Sequence, residues 1–204
     1  MKPDTGRAGI ILAGGRSKRF DQRDKATATL NGTPLVCYVV EALAPVVDEV
    51  IINCRRPQCD AIAAAIGDRS IQFAENRIPD RGPVAGLQTG LHATTAKYAA
   101  VVACDMPFIA AGFLNFLFAQ ANHRTGAVAK VRGRITPLPA VVHVRAAQAA
   151  CRQALTERDG RLYDLIALLD PEVVSEQSTT AHAGPDAFWN IDTRADLQGA
   201  SERV

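Results

Sequence analysis

The sequence is built on an alternation. Short, continuously apolar runs at 8–13, 50–54 and 98–104, with a weaker one at 70–74, are separated by segments carrying helix signals. Unbroken apolar runs of this length are how strands of a parallel sheet read, because both of their faces are covered. The intervening helices are expected to open at Thr33-Pro34, at Pro57 and at Pro83, since proline suits a first helical turn. Gly67-Asp68 stops the second of them. The second half predicts helices over 113–121, 145–155 and 162–169, short strands over 127–131, 140–144 and 172–174, and a last helix over 193–199 capped by Thr193. This order predicts an α/β fold with a doubly wound, mostly parallel sheet. No linker, repeat or low-complexity stretch interrupts it, so residues 1–204 are expected to form a single domain.

Composition excludes several classes. A formal net charge of +2 over 204 residues is too small for nucleic-acid binding by bulk electrostatics, so any positive field is local. No apolar run approaches the roughly 18–20 residues that span a membrane. The segment before the first strand lacks a signal-peptide pattern, and the expected location is cytoplasmic. The 5 cysteines and 4 histidines form no metal-ligand spacing, and the cysteines read as reduced packing residues.

In a sheet of this kind, ligands bind outside the carboxyl ends of the strands. Four loops are selected: Gly14 onward, Asn53 onward, Glu75 onward and Asp105 onward. The first, Leu12-Ala13-Gly14-Gly15-Arg16-Ser17-Lys18-Arg19 and on to Lys25, is neither a Walker A loop nor a dinucleotide fingerprint. Its ingredients still suit phosphate. Glycines let backbone N–H groups approach an anion, and the segment 14–25 carries five cations against two acids. The plainer reading is a solvated basic loop. Asp105, directly after the most convincing strand, either holds Mg²⁺ or caps the next helix. Gly82-Pro83-Val84-Ala85-Gly86 either cradles an anion or planar base at a helix start or is an ordinary turn. Trp189 reads as core or lid packing, with Asn190 and Asp192 beside it as metal- or cap-competent groups.

Taken in order, these motifs resemble those of the molybdenum cofactor guanylyltransferases. The glycine loop is Leu12 to Arg19 and ends in Asp24-Lys25. Gly82-Pro83-Val84-Ala85-Gly86, Cys104-Asp105-Met106-Pro107-Phe108 and Asn190-Ile191-Asp192-Thr193 complete the set. The chain departs from the family pattern at Phe20-Asp21, where the family has Met-Gly, and at Thr136-Pro137, where it has Gln-Pro. An acidic family position falls at Glu75 or Asn76.

The resemblance implies a Rossmann-like nucleotidyltransferase fold and transfer of GMP from GTP to molybdopterin-bound molybdenum cofactor, with Mg²⁺ as the metal. Molybdoenzyme maturation or cofactor-delivery proteins are the implied protein partners. It further implies that Leu12, Ala13 and Gly14 face guanine or ribose and that Gly15 to Arg19 wrap the triphosphate. Arg19 then faces the leaving pyrophosphate, Lys25 the α-phosphate, and Asn53 the nucleotide. Guanine presents donors, so acceptors are needed; backbone carbonyls, Glu75 and Asp80 are the candidates, beside the close approach allowed at Gly82. Asp105 binds Mg²⁺, joined by Asn190 or Asp192. The Arg132-Gly133-Arg134 turn either meets the anionic pterin cofactor or is a plain basic hairpin. Two rival readings stand beside this one. One is a related nucleotidyltransferase, such as a CTP-dependent molybdopterin cytidylyltransferase. The other is a nucleotide-binding adaptor weakened by Asp21.

Overall fold

The structure, a computed structural model, describes residues 6–15, 24–76, 81–157 and 159–203. In chain order these form β1 (Arg7–Leu12), a 3-10 turn (Lys25–Thr27), β2 (Thr29–Leu30), β3 (Thr33–Pro34), α1 (Leu35–Leu43), β4 (Glu49–Cys54), α2 (Arg56–Ile66) and β5 (Gln72–Glu75). There follow α3 (Gly82–His92), β6 (Tyr98–Ala103), α4 (Ala111–Gln120), β7 (Gly126–Val131), β8 (Arg134–His143) and α5 (Val144–Glu157). The chain closes with α6 (Leu162–Leu169), β9 (Glu172–Val174), α7 (Glu176–Ala183) and α8 (Arg194–Ser201).

One seven-stranded sheet runs in the order β5-β4-β1-β6-β8-β7-β9. All neighbours are parallel except β8, which is antiparallel to both β6 and β7. Side-chain alternation along the strands fills two layers. Ile11, Ile52 and Val102 pack with α1, α2 and α4. Ile10, Ile51 and Val101 pack with α3, α5 and α6. The doubly wound, mostly parallel α/β architecture expected from the apolar runs is the one observed. Among the described residues no helix is long and apolar enough to cross a membrane.

Three local expectations are corrected. The first helix does not open at Thr33-Pro34. Asn31 and Gly32 take positive φ, 49° and 82°, and fold Thr33 and Pro34 back against Leu30 and Thr29 as a small hairpin. Helix α1 therefore starts at Leu35. Strand β8 begins at Arg134, well before residue 140, because the register shift between Val128 and Ala129 absorbs the Pro137-Leu138-Pro139 stretch. Helix α7 went unread because its sequence EQSTTAHA has no apolar periodicity; it starts from Ser175, whose hydroxyl accepts from the Ser178 N–H at 3.2 Å.

Candidate active site

A cleft of about 740 Å³ opens at the carboxyl edge of the sheet. Its floor is the end of β1, where the ladder continues one step into the glycine loop. The Ala13 N–H donates to the Asn53 carbonyl at 2.8 Å, and the Cys104 N–H donates to the Leu12 carbonyl at 3.2 Å. Leu12, Gly14, Gly15, Asn53 and Gly82 all line the cleft; Ala13 is buried beneath it, 3% exposed. The Arg55 guanidinium donates to the Gly15 carbonyl at 3.3 Å and to Gln58 Oε1 at 3.1 Å, which ties the glycine loop to α2.

Asn53 is the strut of this wall. It is 2% exposed, and its Nδ2 donates to the Ala74 carbonyl of β5 at 3.0 Å. Its Oδ1 rests on α3 so closely that a Cβ added at Gly86 would lie 2.2 Å from it. One amide therefore fixes the distance between β4, β5 and the start of α3, and only glycine at 86 admits that approach.

Asn76 follows β5 and extends the β4–β5 pairing, its N–H donating to the Cys54 carbonyl at 2.9 Å. It lines the cleft, and its Oδ1 is buried with no hydrogen-bond partner among the described residues. Glu75, one residue earlier, is not in the cleft. Its carboxylate lies 3.7 Å from exposed Arg56, and it borders a separate groove with Phe73, Gln88 and His92. Side chains alternate across a strand, so of the two candidate positions only Asn76 faces the cleft.

A charged cluster stands at the β6 end of the cleft, since Ala103 lines the cleft two residues before Asp105. Asp24 builds its first part. The Asp24 carboxylate accepts from the Ala26 N–H at 3.1 Å and caps the 3-10 turn that presents Lys25. Burial lifts the Asp24 carboxyl above its ordinary range, although the Ala26 N–H and Arg55 pull the other way. Lys25 Nζ donates to Asp105 Oδ2 at 2.5 Å and to Asp192 Oδ1 at 2.7 Å. Burial pulls the Lys25 ammonium down, but the two carboxylates outweigh it and hold it above its ordinary value.

The tail is stitched to the same place. The Ile191 N–H donates to the Asp105 carbonyl at 2.9 Å. Asp196 accepts from the N–H groups of Asp192 and Thr193 at 3.0 and 2.8 Å, and the Thr193 hydroxyl completes a capping box for α8. Hydrogen bonding from Thr193 holds the Asp196 carboxyl below its usual range. Asp105 Oδ1 is buried and has no hydrogen-bond partner among the described residues. The contact with Lys25 is made by Asp192, and Asn190 is exposed. Trp189 is a packing residue: it stacks on Phe108 at 5.7 Å and carries the Arg203 guanidinium at 4.8 Å.

Two positive-φ glycines from distant segments lock the cleft's far wall. Gly82 (φ 75°) faces the Gly160 carbonyl, 3.0 Å from where a Cβ would stand; Gly160 (φ 69°) faces the Arg81 carbonyl at 2.9 Å. Gly160→Ala is expected to push the α5–α6 connection off Arg81 and Gly82 and to cost about 1–2 kcal/mol of stability, read from urea melts.

The structure thus gathers Leu12, Gly14, Gly15, Asn53 and Gly82 in one cleft and Lys25, Asp105 and Asp192 in one ionic cluster. Arg19, Asp21 and Asp80 lie outside the described residues. Asn76, the alternative to Glu75, lines the cleft, and so do Arg55, Leu138 and Leu162, which were not singled out as site residues. Leu138 and Leu162 come from segments over fifty residues away, and no local signal marks them. All five cysteines are unpaired, and burial pushes the Cys151 thiol up to about 12. Among the described residues no group of three or more His, Cys, Asp or Glu side chains is placed to hold a metal.

The family profile described as MobA-like NTP transferase domain matches residues 9–174. A Haloferax mediterranei protein named "Probable molybdenum cofactor guanylyltransferase" is 48% identical over 200 residues, covering 98% of this chain and 95% of its own. A protein of the same name from Natronomonas pharaonis is 39% identical over 198 residues, covering 97% and 98%. The crystal structure of molybdopterin-guanine dinucleotide biosynthesis protein A from Archaeoglobus fulgidus shares the fold, with TM-score 0.75 at 22% identity over 96% of this chain and 97% of that one.

Proposed function

The chain belongs to the family of MobA-like NTP transferase domains and is a nucleotidyltransferase, and from that premise we propose that it transfers GMP from GTP to molybdopterin-bound molybdenum cofactor. The acceptor is a phosphate monoester. Its second pKa lies near 6, so it is mostly dianionic at neutral pH and needs no protein base. One of its oxygens attacks the α-phosphorus in line, the bond to the bridging oxygen breaks, and pyrophosphate leaves. What the protein supplies is alignment of two anions and stabilisation of the charge that develops. Gly14 and Gly15, free of side chains, let the triphosphate approach backbone N–H groups, and Lys25 brings positive charge to the α-phosphate.

A divalent cation, typical of nucleotidyltransferases, fits the residues present. Asp105 Oδ1 is a buried carboxylate oxygen with no hydrogen-bond partner among the described residues, and Asp192 offers a second carboxylate across the same ammonium. One or two carboxylates plus substrate phosphates is the preference of Mg²⁺. Asp105 and Asp192 would hold it, and it would supply further neutralisation of the phosphate oxygens.

The observation that bears on the base is the Asn76 amide, whose buried Oδ1 has no hydrogen-bond partner among the described residues. Adenine and cytosine each present a single amino group, whereas guanine presents two adjacent donors, N1–H and N2–H₂, so Asn76 favours guanine by accepting one of them beside a backbone carbonyl that accepts the other. Sites built on such a pair of hydrogen bonds reject bases that leave one of the buried acceptors unpaired. Asn76→Leu is expected to lower kcat/KM for GTP by about 10- to 100-fold and to erode the preference for GTP over ATP and CTP. The decisive measurement is pyrophosphate release with each of the three nucleotides and the molybdopterin acceptor. A clear preference for CTP or ATP would overturn the base assignment. Unpaired cysteines suit a reducing compartment, and the cytoplasm is the proposed location.

A further inference from the structure

The turn joining β7 to β8 carries an arrangement that the nucleotide cleft does not use. Arg132 (φ 49°) and Gly133 (φ 73°) form a two-residue reverse turn closed by the Val131–Arg134 pair. Its two backbone N–H groups point at one carboxylate: Arg132 N–H donates to Glu176 Oε1 at 2.6 Å, and Gly133 N–H donates to Glu176 Oε2 at 2.9 Å. Glu176 is the first residue of α7. The carboxylate is thus engaged by the turn's backbone. The guanidinium groups of Arg132 and Arg134 have no ion pair or hydrogen bond among the described residues, and both residues are exposed.

Register places this turn beside the ionic cluster. Ala140 pairs with both Val101 of β6 and Val128 of β7, so those two residues stand level. Strand β6 ends at Ala103 and β7 at Val131, which brings the turn level with the Asp105 loop. β8 is the immediate neighbour of β6 and pairs with it as far as Val101 and Ala140, from where β8 leads back to the turn along β7. Cross-strand partners share a face, and Arg134 pairs with Val131, whose side chain packs in the layer of α1 and α4. Ala26, Cys104 and Met106, which flank Lys25 and Asp105, are buried in that same layer. The arginine arm and the Lys25–Asp105–Asp192 cluster therefore open on one face of the sheet.

We infer that this arm receives the acceptor, with Arg132 and Arg134 binding its anionic groups and Glu176 acting as a positioning residue that holds the turn by its backbone. The inference rests on the guanylyl transfer proposed above. Guanidinium groups suit the task because their planar N–H forks match phosphate-type oxygens. GTP is held at the opposite, β1–α3 side, so the arm affects one substrate and leaves the other alone.

The test separates the two substrates. GTP binding without acceptor is measured by calorimetry, and the KM and kcat for molybdenum-molybdopterin are measured by pyrophosphate release, for the unaltered protein, Arg134→Ala, Arg134→Lys, Arg132→Ala and Glu176→Gln. Arg134→Ala is expected to raise the acceptor KM about tenfold while GTP affinity stays within twofold, and Arg134→Lys to restore part of it. Glu176→Gln is expected to raise the acceptor KM by a smaller factor with kcat retained. An acceptor KM unchanged in all four variants overturns the inference and leaves the reaction standing. GTP affinity weakened in step with the acceptor KM also overturns it. If the unaltered protein releases no pyrophosphate from GTP with this acceptor, the proposed reaction fails and the arm's assignment falls with it.

Discussion

Lys25→Met is expected to lower kcat/KM for guanylyl transfer by about 1,000-fold or more. The ammonium sits on two carboxylates, at 2.5 Å from Asp105 and 2.7 Å from Asp192. Methionine keeps most of the length and apolar packing of the stem but removes the charge. Two effects then add: the transition state loses its counter-charge, and Asp105 is left facing Asp192. Removing one partner of a fully buried pair costs about 3–5 kcal/mol. Here Asp192 is half exposed, so water screens part of the loss and a stability decrease of about 1–2 kcal/mol is expected, read from urea melts. Because the folded-state pKa of Lys25 is raised, its contribution is fully present below the ordinary lysine value and is lost only as pH rises through the raised one. Between pH 6 and 9 the stability gap between the two proteins should therefore show no step from lysine titration. A Lys25→Met protein with near-normal pyrophosphate release would remove the ammonium from the chemistry.

Gly86→Ala is expected to cost about 2–3 kcal/mol and to weaken GTP binding by at least tenfold. Elsewhere on a helix the same change would gain up to about 1 kcal/mol from propensity. At this position packing decides the sign. The new methyl would lie 2.2 Å from Asn53 Oδ1 and 3.1 Å from its Cγ. Asn53 cannot swing away without giving up its bond to the Ala74 carbonyl. Either β5 loses its anchor or the start of α3 moves off the cleft, and Gly82 and Asn76 move with it. Asn53→Ala would also cost stability, through the lost bond to Ala74, yet adding it to Gly86→Ala should recover part of the loss, because the clash needs both side chains. Additive losses in that double-mutant cycle would show that the contact is not the cause.

Much of this molecule was legible beforehand because its signals are local. Continuous apolar runs such as 98–104 mark strands buried on both faces. Prolines and glycines punctuate the helices, and the ends of parallel strands are where loops converge. Those rules led to Gly14, Asn53, Glu75 and Asp105, each at the carboxyl edge, although the Glu75 side chain itself turns away from the cleft. The misread segments are those where a local signal had a competitor. Thr33-Pro34 looked like a helix start, but the Asn31-Gly32 turn claimed both residues for a hairpin. The strand expected over 140–144 starts instead at Arg134, because a register shift carries β8 past Pro137 and Pro139.

The site shows the same division. Residue types and order along the chain were enough to name a nucleotidyl-transfer loop ending in Asp24-Lys25 and a carboxylate after the sixth strand. They could not choose between Glu75 and Asn76, because the choice depends on which way a strand's last residues face, and pairing with β4 sets that direction. Nor could they place Asp192 against Lys25, since the two ends of that contact lie 167 residues apart. Sequence spacing carries information across a turn of helix or a pair of strands. Distances between segments that meet only on folding are set by packing, and there the tertiary structure alone showed Asn53 as strut, Asn76 as a buried acceptor without a partner among the described residues, and Glu176 as the clasp of the Arg132-Gly133 turn.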